Sequence, residues 1–206
     1  MYFQNWIVTI FLLRFIGRFF LRSVVVYQNI DVAQVLYHLA SLHALKNENK
    51  NVMSCLKECL RVRTNIFGRN SLIVGDTLMK IGDAFKVQEK ADEALHSYEE
   101  AIEIFRICCG NEYIKVAHSL CKVGYVYSQI KNYSKVIDTL EEADKIYREK
   151  LSSEPRPSDI SKHELDEDYL EYSSCLFLLG TTHDLLGGSV KAARIYNRVS
   201  QTSKQN

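Results

Sequence analysis

LMKIGDAFKVQEKADEALHSYEEA (residues 78–101) and LCKVGYVYSQIKNYSKVIDTLEEA (residues 120–143) begin 42 residues apart and carry like side chains in like order. A third copy precedes them, LYHLASLHALKNENKNVMSCLKEC at residues 36–59. Apolar columns recur as Leu36, Leu78 and Leu120; Leu39, Ile81 and Val123; Val52, Ala94 and Val136; and Val62, Ile104 and Ile146. A fixed period of this length is the mark of a repeat architecture. Within each copy the columns fall three and four residues apart, the spacing of one helix face, in two groups separated by a polar connector. The connectors are Lys46-Asn47-Glu48-Asn49, Gln88-Glu89-Lys90 and Lys131-Asn132, short enough to turn the second helix antiparallel to the first.

Two columns are small. Ala40, Gly82 and Gly124 fall on the first helices, and Cys59, Ala101 and Ala143 on the second. Glycine inside a helix costs about 1 kcal/mol relative to alanine, so Gly82 and Gly124 imply a close helix approach that offsets it. The rings at His43, Phe85 and Tyr127 are expected to fill the space beside these small residues. Copies are joined near Gly68-Arg69-Asn70 and Gly110-Asn111-Glu112, where glycine supplies a positive φ at a helix end.

The pattern Leu78-x₂-Ile81-Gly82-x₂-Phe85, then Ala94-x₃-Tyr98 and Ala101, resembles the tetratricopeptide-repeat family. The copy at 120–143 follows it with Leu120, Val123, Gly124, Tyr127, Val136, Leu140 and Ala143. A fourth reads Leu176-x₂-Leu179-Gly180-x₂-His183, Ala192-x₃-Tyr196 and Val199, its glycine 56 residues after Gly124. A period of 42 resembles the kinesin-light-chain variety, whose helices are each about a turn longer than usual. The fold expected is all-α, a right-handed superhelical array of antiparallel helix pairs. Repeats fall at about 30–70, 71–112, 113–151 and 168–203, within an array spanning 30–203. An inserted loop at about 152–167 holds both prolines, Pro155 and Pro157, and Ser161 with Glu164 forms a capping box for the helix that resumes there. The insertion reads as a solvated loop with an early helix start, against a peptide-like regulatory segment.

Residues 1–29 stand apart. The run WIVTIFLLRFIGRFFLRSVVV (6–26) is the most apolar in the chain, yet Arg14, Arg18 and Arg22 interrupt it where a membrane span would bear charge worst. Its arginines follow the apolar residues, the reverse of a secretory signal. On a helix they form one basic stripe opposite Ile7, Phe11, Phe15 and Phe19. Three readings remain: a packing helix over the end of the array, a membrane-surface anchor, or a mitochondrial targeting segment.

Lys and Arg number 26 against 25 Asp and Glu, so no global field draws the chain to nucleic acid. The six cysteines match no zinc spacing and read as reduced thiols, Cys55 and Cys59 as small hydrophobes on one helix face. There is no phosphate-binding glycine loop, HExxH or GxSxG, and the histidines are scattered. His43 and His183 occupy the ring column, while His38 and His118 fall on first helices. Glu99, Glu100 and Glu103, with Glu141, Glu142 and Asp144, are expected to form solvated outer faces. The chain is therefore read as no enzyme, with neither metal nor cofactor.

Stacked helix pairs present a long concave surface suited to a peptide or helix. The resemblance implies that first helices line it, through Tyr37, His38 and Ser41; Met79, Lys80 and Asp83; Cys121, Lys122 and Tyr125; Phe177 and Thr181. Lys80 and Lys122, at equivalent positions, are expected to attract carboxylates or a phosphopeptide. The paired asparagines of the kinesin-light-chain type are replaced here by Tyr37-His38, Met79-Lys80 and Cys121-Lys122, so that type's peptide does not transfer. The function expected is a noncatalytic, cytoplasmic scaffold or adaptor for a protein or peptide partner. The alternative is a recruitment protein tethered to a membrane surface through residues 6–26.

Overall fold

The computed structural model describes residues 30–151 and 162–202, and every regular element among them is a helix. Expectations resting on residues 1–29, and on the capping box at Ser161, lie outside this range. First helices are α1 (30–45), α3 (Leu72–Val87), α5 (Ile114–Gln129) and α7 (Lys162–Leu185). Second helices are α2 (Asn49–Phe67), α4 (Ala91–Cys109), α6 (Tyr133–Leu151) and α8 (Ser189–Thr202). α2, α4 and α6 are each 19 residues long and start 42 residues apart, so the sequence period is a structural period. α7 begins at Lys162, inside the stretch read as loop, and at 24 residues is longer than the 16 of α3 and α5.

The chain divides into two compact units at Arg69. In the first, α1 lays Ala33 against Cys59 and Val62 of α2, flanked by Leu36, Tyr37 and Ile66. The Cys59 thiol donates to the Ala33 carbonyl at 3.2 Å, a separation only a small residue at each position permits. In the second unit α3 pairs with α4, α5 with α6 and α7 with α8, while α4 also packs on α5 and α6 on α7. Within this unit each helix pair thus contacts its neighbour through one second helix and the next first helix.

The glycine column accounts for the close pairing. A Cβ added at Gly82 would lie 2.4 Å from the Tyr98 ring, at Gly124 2.5 Å from Leu140, and at Gly180 2.7 Å from the Tyr196 ring. The partner is 16 residues later each time, so three hairpins repeat one contact. The covering side chain is therefore the second helix's, not the ring at Phe85 or Tyr127. A residue three positions on along the same helix lies beside the glycine, whereas the facing helix projects straight at it. Gly75 is closed in the same way by Phe105, 2.6 Å from its added Cβ. With Ala33 and Ala117 it forms a second small column that the motif does not contain.

The hairpin turns share a backbone state. Asn47, Glu89 and Lys131, 42 apart, have φ of 57°, 59° and 59°, and Gly187 has 78° at the matching place in the last pair. The following amides close back on the helix end, from Glu48 to His43, Lys90 to Phe85, Asn132 to Tyr127 and Gly188 to His183, at 2.8–3.0 Å. That is the Schellman closure, achieved three times without glycine. Between repeats, Gly68 and Gly110 combine positive φ (81° and 88°) with extended ψ (163° and 171°), a region beyond the left-handed helical one and open essentially to glycine alone.

Candidate functional site

The positions chosen on the first helices fall into three environments. In the first unit Tyr37 is half-buried beneath the Arg63 guanidinium, 4.6 Å from its ring centre, with His38 edge-on at 6.0 Å. His38 and Ser41 are exposed, His38 bonded to Gln34 at 3.1 Å and the Ser41 hydroxyl donating to the Tyr37 carbonyl.

On α3 and α5 several of these residues bind one another. Lys122 Nζ donates to Asp83 Oδ1 at 2.9 Å, and the same oxygen accepts the Tyr98 hydroxyl at 2.8 Å. One heptad earlier Lys115 meets Asp76 at 2.6 Å, and between the pairs Ser119 donates to the Met79 sulfur at 3.0 Å. Two ion pairs two turns apart thus tie consecutive first helices. Lys122, expected to attract a ligand carboxylate, faces the Asp83 carboxylate in this structure. Lys80 remains exposed. Burial, reinforced by the Asp83 carboxylate and its hydrogen bond, pushes the Tyr98 phenol far above the ordinary range. This tyrosine stays a neutral donor, fixing Asp83 from below while Lys122 holds it from above.

The third environment is a groove of about 640 Å³ between α5 and α7, in which Cys121, Lys122, Tyr125, Phe177 and Thr181 come together. Lys86 reaches in from α3, and Glu171, Ser173, Ser174 and Leu178 complete much of the wall. Tyr125 and Phe177 are exposed large rings, the former under the Lys86 ammonium at 5.1 Å, the latter 6.0 Å from the Tyr196 ring. Lys86 and Glu171 belong to no motif position. Lys86 follows Tyr125's counterpart, Asp83, by three residues, and only the stacking of α3 on α5 places it over that ring.

Beneath the groove lies a buried polar core. Asp144, expected on a solvated face, is buried: it accepts from the Tyr172 hydroxyl at 2.8 Å and from the two terminal Arg198 nitrogens, and forms an ion pair with Arg148 Nε at 3.2 Å. Its period-mate in α4 is Ile102, also buried, so the column faces the next repeat rather than solvent. The neighbouring Glu142 is exposed as expected and pairs with Arg106 at 2.5 Å. Tyr147 stacks on Tyr172 at 4.9 Å, and His118 sits 5.8 Å from Tyr147, with Nε2 3.0 Å from Asp168 but misaligned for a hydrogen bond. Burial pushes both phenols upward, Tyr147 further through Cys121 and Tyr172 through Asp144. The Cys175 thiol is raised first by a hydrogen bond with Cys121 and then by burial. These groups are held in their neutral forms as packing and hydrogen-bonding elements. Cys59, Cys121 and Cys175 are buried free thiols, whereas Cys108 and Cys109 are exposed in the last turn of α4. Among the described residues no group of three metal-ligating side chains converges, and no helix is long and apolar enough to cross a membrane.

Residues 74–149 match the family model described as Tetratricopeptide repeat. The fold is similar to BtubC (BKLC) from P. vanneervenii, with TM-score 0.71 and 18% identity over 84% of this chain and 63% of that one. It is also similar to the apo form of RapI, with TM-score 0.69 and 13% identity over 85% of this chain and 57% of that one. A third likeness is a Podosopora anserina protein of nearly identical TPR-like repeats, named for the kinesin light chain, with TM-score 0.54, 11% identity and coverage of 84% and 94%. This chain thus spans about three-fifths of the BtubC and RapI structures. No curated protein sequence matches it.

Proposed function

We propose that this chain, whose residues 74–149 match the tetratricopeptide-repeat model, is a noncatalytic interaction scaffold that holds a peptide or helix of a partner protein on the concave face lined by its first helices. The observation that carries this is the groove between α5 and α7, where two exposed rings, Tyr125 and Phe177, flank hydroxyls and the Lys86 ammonium. Exposed aromatic rings supply contact area at small entropic cost, and a cation beside them orients an acidic group. The occupant that fits best is a segment with an apolar side chain for Phe177 and Tyr125 and a carboxylate within reach of Lys86. Buried tyrosines and the ion pairs beneath hold the groove walls in place, so little ordering accompanies binding.

The test is an array of acidic and apolar peptides probed with the whole chain and with the Tyr125→Ser/Phe177→Ser variant. Peptides retained by the parent should be lost from this variant, while Glu103→Lys, on an exposed outer position, should retain them. Equal retention by parent and groove variant would overturn the assignment. A Lys86→Gln variant should weaken acidic peptides more than neutral ones.

A further inference from the structure

α1 is apolar on two faces and only one of them is covered. Toward α2 it buries Ala33 and Ala40. On the other face Val32, Val35, Leu39 and Leu42 are 48%, 64%, 37% and 57% exposed. Their period-mates on α5 are Val116, Ser119, Val123 and Val126, none more than 5% exposed. In the last pair the same column is Tyr172, Cys175, Leu179 and Thr182, again at most 5% exposed. What covers this column is the preceding second helix: Tyr172 meets Asp144 and Tyr147 of α6, and the Cys175 thiol donates to the Leu140 carbonyl. α1 therefore carries the docking face for a second helix.

We propose that this face is covered by residues 7–25 of the same chain, acting as a half-repeat. Subtracting the period from Asn49–Phe67 gives Ile7 to Val25, the length of one second helix. The four residues 26–29 then join it to α1, as Gly68 to Ser71 join α2 to α3 and Gly110 to Tyr113 join α4 to α5. The register puts Gly17 in the column of Cys59, Ala101 and Ala143, each fully buried, and Phe20 in the column of Val62, Ile104 and Ile146. Arg22 stands with Arg106 and Arg148, which are basic in the same place. Arg18 stands with Ile102 and Asp144 in the column that faces the next first helix, where its long stem can lie along the valines and its guanidinium reach solvent. Arg14 replaces the Leu56, Tyr98 and Leu140 column, whose members cover the small residue of their own first helix. The Tyr98 and Leu140 side chains turn into their own hairpins, and it is the Leu140 backbone carbonyl that meets the next first helix, so a charged side chain in this column leaves the docking face intact. The arginine stripe that excludes a simple span thereby takes a place in the register. This inference is independent of the groove between α5 and α7.

The test is site-specific photo-cross-linking in the full chain with p-benzoylphenylalanine replacing Val35, a position exposed enough to accept it. Light and isotopically heavy chains are mixed, without and with vesicles of phosphatidylcholine and phosphatidylserine. Expected is an intrachain product mapping to residues 7–25, absent when the photoprobe replaces the exposed Lys57 on α2, and abolished by Gly17→Trp. Light-to-heavy products would make the occupant a second copy and overturn the proposal. Lipid adducts in place of the 7–25 product, or no product at either condition, would overturn it equally. Persistence of the product in Gly17→Trp would overturn the register.

Discussion

Adding one methyl group at Gly82 tests the packing that defines the array. The new Cβ of Gly82→Ala would lie 2.4, 2.6 and 2.9 Å from three atoms of the Tyr98 ring. Ordinary carbon contacts are about 3.5–4.0 Å, so ring and helix must part by roughly 1 Å. Tyr98 has nowhere to move: it is fully buried and its hydroxyl is bonded to Asp83 at 2.8 Å. Overpacking of this kind costs about 1–3 kcal/mol, while alanine's better helix propensity returns about 1 kcal/mol. With contacts as short as 2.4 Å the overpacking falls in the upper part of that range, about 2–3 kcal/mol, so the net expectation is a loss of about 1–2 kcal/mol. At about 2–4 °C per kcal/mol for a chain of this size, the melting temperature should fall by about 2–8 °C. Gly82→Leu should cost several kcal/mol. The cost of Gly82→Ala should shrink in a Tyr98→Leu background, which recreates the Ala40 and Leu56 combination of the first repeat and has a side-chain end able to turn aside. Calorimetry of the four chains closes the cycle. A Gly82→Ala protein that melts at or above the parent would show propensity prevailing and refute the close approach.

Asp144→Ala should cost about 2–3 kcal/mol in urea unfolding, because it strands Arg198 and the Tyr172 hydroxyl, whereas Glu142→Ala on the exposed Arg106 pair should cost under about 1 kcal/mol. The reverse order would contradict the buried network. Tyr98, Tyr147 and Tyr172 have folded-state pKa values raised above the unfolded value of about 10, so the stability they confer is complete below that pH and is lost as pH rises beyond it. Their ionisation, followed by tyrosinate absorbance, should coincide with alkaline unfolding, and a separate earlier titration of all twelve tyrosines would refute it. Lys131→Gly, at φ 59°, should gain about 0.5–1 kcal/mol by removing left-handed strain, net of unfolded-chain entropy, and Gly187→Ala should lose a similar amount in thermal melts.

The sequence by itself determined the helices, their pairing and their 42-residue register, because all three follow from local spacing. Apolar residues three and four apart set a helix face, short connectors set the antiparallel turn, and Gly82 and Gly124 mark where helices meet. It also placed the candidate positions on first helices, since these follow from the register. Tertiary structure alone decided which of them stand open. Lys80 and Lys122 are alike in sequence, yet it is Lys122 that has Asp83 opposite, because the stacking of α5 beside α3 brings that carboxylate to it. Asp144 reads like its exposed neighbours Glu141 and Glu142. Its fate depends on Tyr172 and Arg198, which lie beyond the insertion and outside the period. Val32 and Val116 likewise share a column but not an environment, for burial is fixed by the neighbour a helix has, and periodicity records only the face it offers.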